Sequence, residues 1–195
     1  MREYSKHDIL GQMLHIPRVH MHRHKRKAFY QTILASLSNS IDVTVAVPSF
    51  VYVRAHILCE YIEEEYELSF TVNQLIWLLY KEFTSQYYKR KDIWKLYQYI
   101  SNADSSLIEV YHYGKLVDTH KHYQPHETKT IHLRVNKKEV RNGEALLAEI
   151  DAIYPNHIMF EDMIGQLLIN FMEMTTTHSS SDQVHTLVKK ANKYL

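Results

Sequence analysis

The chain has 195 residues, 45% of them apolar, with 23 lysines and arginines against 22 acids and a single cysteine. That is enough for one domain, or two small ones, with a real core. No apolar run approaches the roughly 20 residues of a membrane helix, MREYSKHDIL lacks a signal peptide's apolar stretch, and Cys59 alone excludes an internal disulfide, so a globular, cytoplasmic protein without membrane contact is expected.

The net charge of +1 conceals an uneven distribution along the chain. Residues 1 to 40 hold seven Lys or Arg against two acids. Within them HIPRVHMHRHKRK (15 to 27) forms a basic arm carrying Arg18, Arg23, Lys25, Arg26 and Lys27, and AFYQTILASL reads as a helix. Next, IDVTVAVPSF alternates Val43, Val45 and Val47 with Asp42, Thr44 and Ala46, the pattern of a strand with one buried face. Helical spacing follows through Leu58, Cys59 and Ile62, where the thiol reads as a small buried hydrophobe. Residues 41 to 88 reverse the charge balance, with seven acids against two basic residues and five of the acids in EYIEEEYE (60 to 67).

A second helix opens at Phe70-Thr71-Val72-Asn73-Gln74-Leu75, where Thr71 and Gln74 form a capping box and Phe70 staples onto Leu75. DIWKLYQYISN (92 to 102) is a further helix with Ile93, Trp94, Tyr97 and Ile100 on one face. LIEVYHYGKLVDTHKHY (107 to 123) is a hairpin turning near Gly114-Lys115. KTIHLRVNKKE (129 to 139) alternates again, with Ile131, Leu133 and Val135 apolar and Thr130, His132, Arg134 and Asn136 polar. Helical patterns then run to a break at Pro155-Asn156 and resume beyond it, and DQVHTLVKKANKYL closes the chain as a helix.

Sliding the sequence by 88 residues lays IDVTVAVPSF over KTIHLRVNKK without gaps. Val43, Val45 and Val47 fall on Ile131, Leu133 and Val135; Cys59 and Ile62 fall on Leu147 and Ile150; Leu75 and Ile76 fall on Met163 and Ile164. Ile158 and Met163 keep the staple, while Met159 replaces the capping hydroxyl. A lone strand with two helices cannot close a core, and two copies can, if the strands at 41 to 47 and 130 to 136 pair as an antiparallel ribbon over the helices.

This arrangement resembles the ribbon-helix-helix (MetJ/Arc-like) family of DNA-binding proteins, over about 41 to 86 and 129 to 174, and is similar to the tandem accessory proteins of conjugative relaxosomes. The fold class expected is mainly α with short β: a single-chain tandem ribbon-helix-helix in which two β-α-α units form an intramolecular ribbon, plus additional helices and a β-hairpin. The segments are an arm and helix at 1 to 40, units at 41 to 88 and 129 to 175, a connecting helix and hairpin at 89 to 128, and a final helix at 176 to 195.

The resemblance implies that the ribbon's outward residues read bases in the major groove. These are Thr130, His132 and Arg134 in the second copy and Asp42 and Thr44 in the first. Arg134 has the strongest chemistry, since a guanidinium can take O6 and N7 of guanine together. Phosphate contacts are implied at Ser69, Thr71 and Asn73, where a helix begins, at Lys137 and Lys138, and along the arm; Glu161 and Asp162 would oppose a phosphate at the matching place in the second copy. The expected function is sequence-specific binding of double-stranded DNA as a transcriptional repressor or a plasmid or phage accessory factor in transfer or partition, without catalysis, metal or cofactor. Beyond DNA, the partners considered are a second copy, in a homodimer or higher assembly on DNA, and another protein.

Two other readings compete. His20-Met21-His22 with Tyr88 and Lys91 matches the metal-dependent tyrosine enzymes that nick single strands, but VHMHRHKRK lacks the alternation of a central strand. A structural zinc at His20, His22 and His24 lacks a distant fourth ligand, and His120, His122 and His126 read as surface side chains. The other reading is an interaction module that binds no DNA.

Overall fold

The structure, a computed structural model, describes residues 2–14, 39–90, 92–101, 107–112, 115–121, 127–177 and 180–194. The described residues are mainly helical, with two two-stranded sheets. The elements are α1 (Ile9–Leu14), β1 (Ser40–Pro48), α2 (Ser49–Tyr66), α3 (Val72–Arg90), α4 (Ile93–Ser101), β2 (Leu107–His112), β3 (Lys115–Lys121), β4 (Thr128–Asn136), α5 (Lys137–Ile153), α6 (Phe160–Thr177) and α7 (Ser180–Tyr194).

The internal repeat is visible in the element boundaries. Ser40 and Thr128 open the strands, Ser49 and Lys137 the first helices, and Val72 and Phe160 the second helices, each pair 88 residues apart. A third helix follows in both copies, α4 in the first and α7 in the second. The helix AFYQTILASL lies outside the described residues. The inserted hairpin pairs β2 with β3 antiparallel, Leu107 facing Lys121 and His112 facing Lys115.

β1 and β4 pair with each other. Lys137 N donates to Asn39 O at 2.8 Å at one end, and Ser49 N donates to Glu127 O at 2.7 Å at the other, which sets an antiparallel register. Val43, Val45, Val47, Ile131, Leu133 and Val135 are all buried, while Asp42, Ala46, Thr130, His132, Arg134 and Asn136 are exposed and Thr44 is half-buried. β-branched residues at every second position favour the pleated strand and fill the core from one side of it.

The chain divides into two compact units. One comprises Met1–Thr44 and His132–Glu161, the other Val45–Ile131 and Asp162–Leu195. In the first, α5 buries Val140, Leu146, Leu147 and Ile150, and Asn136 caps it by accepting from Lys138 N at 2.9 Å. The last outward residue of β4 is therefore also the helix cap.

In the second unit, α2 buries Val51, Ala55, Cys59 and Ile62, and burial pushes the Cys59 thiol up to about 12, so it is a core hydrophobe. The chain leaves α2 through Glu67, a non-glycine residue at φ 50° in the left-handed region. The capping box forms as expected: Gln74 N donates to Thr71 Oγ1 at 3.3 Å and Thr71 N to Gln74 Oε1 at 2.8 Å, and Phe70 and Leu75 are buried. In α4 the buried residues are Leu96 and Ile100, and Trp94 is exposed, its ring 5.9 Å from that of Tyr97. Of the expected face, Ile100 is buried and Ile93 and Tyr97 are half-buried; Trp94 lies at the solvent edge, and Leu96, one turn before Ile100, takes its place in the core.

The copies interlock within this unit. At Gly165 of α6, a Cβ would stand 3.2 Å from Ala46 O and 3.3 Å from a Val45 methyl, so the second copy's helix lies directly against the first copy's strand. Buried Gln166 and Asn170 join in, Gln166 Nε2 donating to Asn170 Oδ1 at 2.6 Å and Asn170 Nδ2 to Tyr99 O of α4 at 2.5 Å. Gly165→Val should therefore destabilise the protein by about 1 to 3 kcal/mol, through displacement of α6 from the strand. Urea unfolding of the variant checks this, and unchanged stability would show that the contact is not tight.

Candidate nucleic-acid interface

The structure places the five residues expected to read bases on the outward side of β1 and β4. In the first unit the register sets Arg134 opposite Asp42 and His132 opposite Thr44. Arg134 Nε donates to Ser40 Oγ at 3.0 Å across the strands, which orients the guanidinium along the exposed face. Lys137 and Lys138 follow at the start of α5, with Lys138 exposed. This half therefore combines a planar donor, an imidazole and two ammonium groups with one carboxylate.

The other half, in the second unit, is weaker chemistry. Ala46 faces Thr130, and Lys129 is held by Glu127 at 2.9 Å, both side chains well exposed. That pairing lowers the Glu127 pKa and raises that of Lys129, and it offsets the positive charge there. Glu60, Glu63, Glu64, Glu65 and Glu67, at the end of α2 and just beyond it, are all exposed.

The helix starts differ too. Ser69, Thr71 and Asn73 are exposed before and within the first turn of α3, but Thr71 Oγ1 is engaged twice with Gln74, accepting from its amide and donating to its side chain at 3.0 Å. A phosphate there would compete with the capping box. At the start of α6, Phe160 N donates to Tyr4 O at 2.7 Å and Lys6 N donates to Glu161 Oε1 at 3.1 Å. The N-terminal segment thus occupies that position, and Glu161 is buried.

That segment is what the sequence reading missed. Residues 2 to 12 form a strap fastened to α5. Glu144, fully buried, accepts from Ile9 N at 2.9 Å, from Leu10 N at 2.6 Å and from the Ser5 hydroxyl, so one carboxylate holds the start of α1. Asp151 accepts from Arg2 at 2.7 Å, Tyr4 Oη at 3.0 Å and Asn156 N at 2.9 Å. The Asn156 amide, ahead of Arg2 and Tyr4, holds the Asp151 carboxyl below its ordinary value, while burial and then Asp151 push the Tyr4 phenol up.

His7 Nε2 lies 3.0 Å from Asp42 O, so the strap also brings an imidazole beside the first strand. The available signal was Glu144 itself, a charge on the apolar face of α5 between Val140 and Leu147 where the first copy has His56.

Of the remaining residues, Arg18, Arg23, Lys25, Arg26, Lys27, His20, His22, His24, Lys91, His122 and His126 lie outside the described residues. Tyr88 is exposed on α3, its ring edge-on to Tyr87 at 5.2 Å. Among the described residues, no group of three or more His, Cys, Asp or Glu is arranged to hold a metal ion, and no helix is long and apolar enough to cross a membrane. Compared with known protein families, curated proteins and solved structures, the chain matches none.

Glu144→Ala should release the strap and cost about 3 kcal/mol, since two amides and a hydroxyl lose a charged acceptor. Hydrogen exchange reads this as lost protection at Ile9 and Leu10 with the β4 amides still protected. Asp151 adds a pH dependence: its native pKa is depressed below 3.8, so its contribution is complete above that value and disappears as pH falls through the native one. Protection of the strap should fall with acid accordingly, and Asp151→Asn should remove that dependence.

Proposed function

We propose that the chain is a sequence-specific double-stranded DNA-binding protein of tandem ribbon-helix-helix type, which lays the β1–β4 ribbon in the major groove and acts as a repressor or accessory factor without catalysis. The observation that carries the proposal is the outward face itself. Over a fully apolar inner face, β1 and β4 present Asp42, Thr44, Thr130, His132 and Arg134, so that every outward position between 42 and 46 and between 130 and 134 except Ala46 carries a hydrogen-bonding group. A two-stranded ribbon fits the major groove, where each base pair displays a distinct pattern of donors and acceptors.

Arg134 is the principal reader on this reading. Its Nε bond to Ser40 Oγ limits the side chain's freedom, which lowers the entropic cost of presenting the guanidinium edge to guanine. Thr44, Thr130 and His132 supply shorter groups able to donate or accept, and Asp42 accepts from cytosine N4. Lys137 and Lys138 contact phosphate at the start of α5, while Ser69 and Asn73 do so at α3, where Thr71 contributes only by giving up its bonds to Gln74. The basic residues between 18 and 27 add attraction that is independent of sequence.

Selection from a random duplex pool, followed by anisotropy titration of the selected and a scrambled sequence at two salt concentrations, tests the reading. A motif bound well above the control is expected. Arg134→Ala should then lose about 1 to 3 kcal/mol on the selected site and relax preference at one base pair. Wild-type binding equal on both sequences would reduce the protein to an electrostatic binder. Replacing Arg18, Arg23, Lys25, Arg26 and Lys27 with alanine should weaken both sequences alike and flatten the salt dependence; substitution is preferable to deletion because deletion would also remove the strap.

A further inference from the structure

Helix α2 has two apolar sides. Val51, Ala55, Cys59 and Ile62 are buried, and nearly opposite them around the helix Phe50, Val53, Ile57 and Tyr61 are 43, 51, 58 and 47% exposed. Steps of three and four residues align these four along one face. A helix needs only its inner stripe to fold, so a continuous outer one marks a contact surface.

The repeat supplies an internal control. The positions of α5 that correspond to Phe50, Val53, Ile57 and Tyr61 are Lys138, Arg141, Ala145 and Glu149. The same architecture therefore tolerates charge along this line, so the fold does not demand the exposed apolar surface of Val53, Ile57 and Tyr61.

Charge along α2 selects the partner. Its N-terminal half carries Arg54 and the positive end of the helix dipole, and its C-terminal half carries Glu60, Glu63, Glu64 and Glu65, all exposed. Two α2 helices side by side in the same direction would bring the acidic halves together. Antiparallel, each acidic half lies along the other's Arg54 and helix start, with the apolar lines between them. We propose that the outer face of α2 is a self-association surface through which two copies of the chain pair antiparallel about a two-fold axis, an arrangement independent of the nucleic-acid reading.

The surface is small. An 18-residue helix is roughly 27 Å long, so its face falls short of the ~800 Å² per partner of a standard interface. The pairing is correspondingly weak, with a dissociation constant on the order of 10 to 100 micromolar.

Sedimentation equilibrium of the full chain over a range of concentrations tests this. The wild type should pass from monomer to dimer. Ile57→Arg should weaken the dimer at least about tenfold, as should Arg54→Glu, which sets acid against acid. Ala145→Arg, the corresponding change on α5, should leave it unaltered. Circular dichroism keeps a folding defect apart from lost association, since Ile57 is exposed and its replacement should leave helix content intact. A wild-type chain that stays monomeric to about 1 mM would overturn the proposal and assign the stripe to another protein or another segment of this chain. Equal loss with Ile57→Arg and Ala145→Arg would overturn it as well.

Discussion

The structure depends on the backbone pairing of β1 with β4. Each strand alone would leave a row of amides and carbonyls unpaired at the edge of a core, a cost no single β-α-α copy can meet. Pairing strands 88 residues apart satisfies the facing edge of each at once and fixes which side chains point inward. Val43, Val45, Val47, Ile131, Leu133 and Val135 fill one side, and the alternation leaves the polar residues no place but the other. The candidate recognition face is thus a consequence of the register: a slip of one residue would bury Arg134 and expose Leu133.

Much of this was legible in the sequence because it is local or periodic. Two-residue alternation marks β1 and β4, the Thr71 and Gln74 capping box marks the start of α3, and the 88-residue displacement falls on the element boundaries at Ser40 and Thr128. Failures occurred where partners distant in sequence decide. Residues 2 to 12 carry no period, and α1 is six residues long, too short to be stable without tertiary support. Its support is a carboxylate more than 130 residues away, and nothing in MREYSKHDIL announces that Glu144 will accept its amides. On α4 one position went astray for a related reason: Trp94 reads as core by composition, and only the packing of Leu96 beside Ile100 reveals that it lies at the solvent edge.

The two copies have diverged where the fold leaves them free. Their inner faces match, since both must fill the same kind of core. Elsewhere the second copy carries acids that hold the strap, Glu144, Asp151 and Glu161, at positions where the first has His56, Glu63 and Asn73. Two of the three differ in charge, so the strap's amides and Arg2 find a full set of acceptors on the second copy alone. The start of α6 is consequently covered while the start of α3 keeps a polar, exposed approach. Conversely, α2 has an apolar outer line where α5 is charged.

Divergence of this kind has a consequence for the proposed recognition. Two identical chains forming a ribbon present the same residues from each strand, and their target must be palindromic to match. In one chain the constraint is lifted, and here the strands differ at every outward position: Asp42 faces Arg134, Thr44 faces His132, and Ala46 faces Thr130. One half of the face carries the guanidinium and the free-standing lysine Lys138; the other carries small side chains and a lysine already paired with Glu127. On the proposed reading, the basic residues between 18 and 27 attract any duplex alike, and discrimination would fall to the few outward groups of the ribbon, above all Arg134. If the proposed recognition holds, the ribbon would suit a site whose information is concentrated on one side of its centre, with the opposite side read through methyl contacts and short hydroxyls.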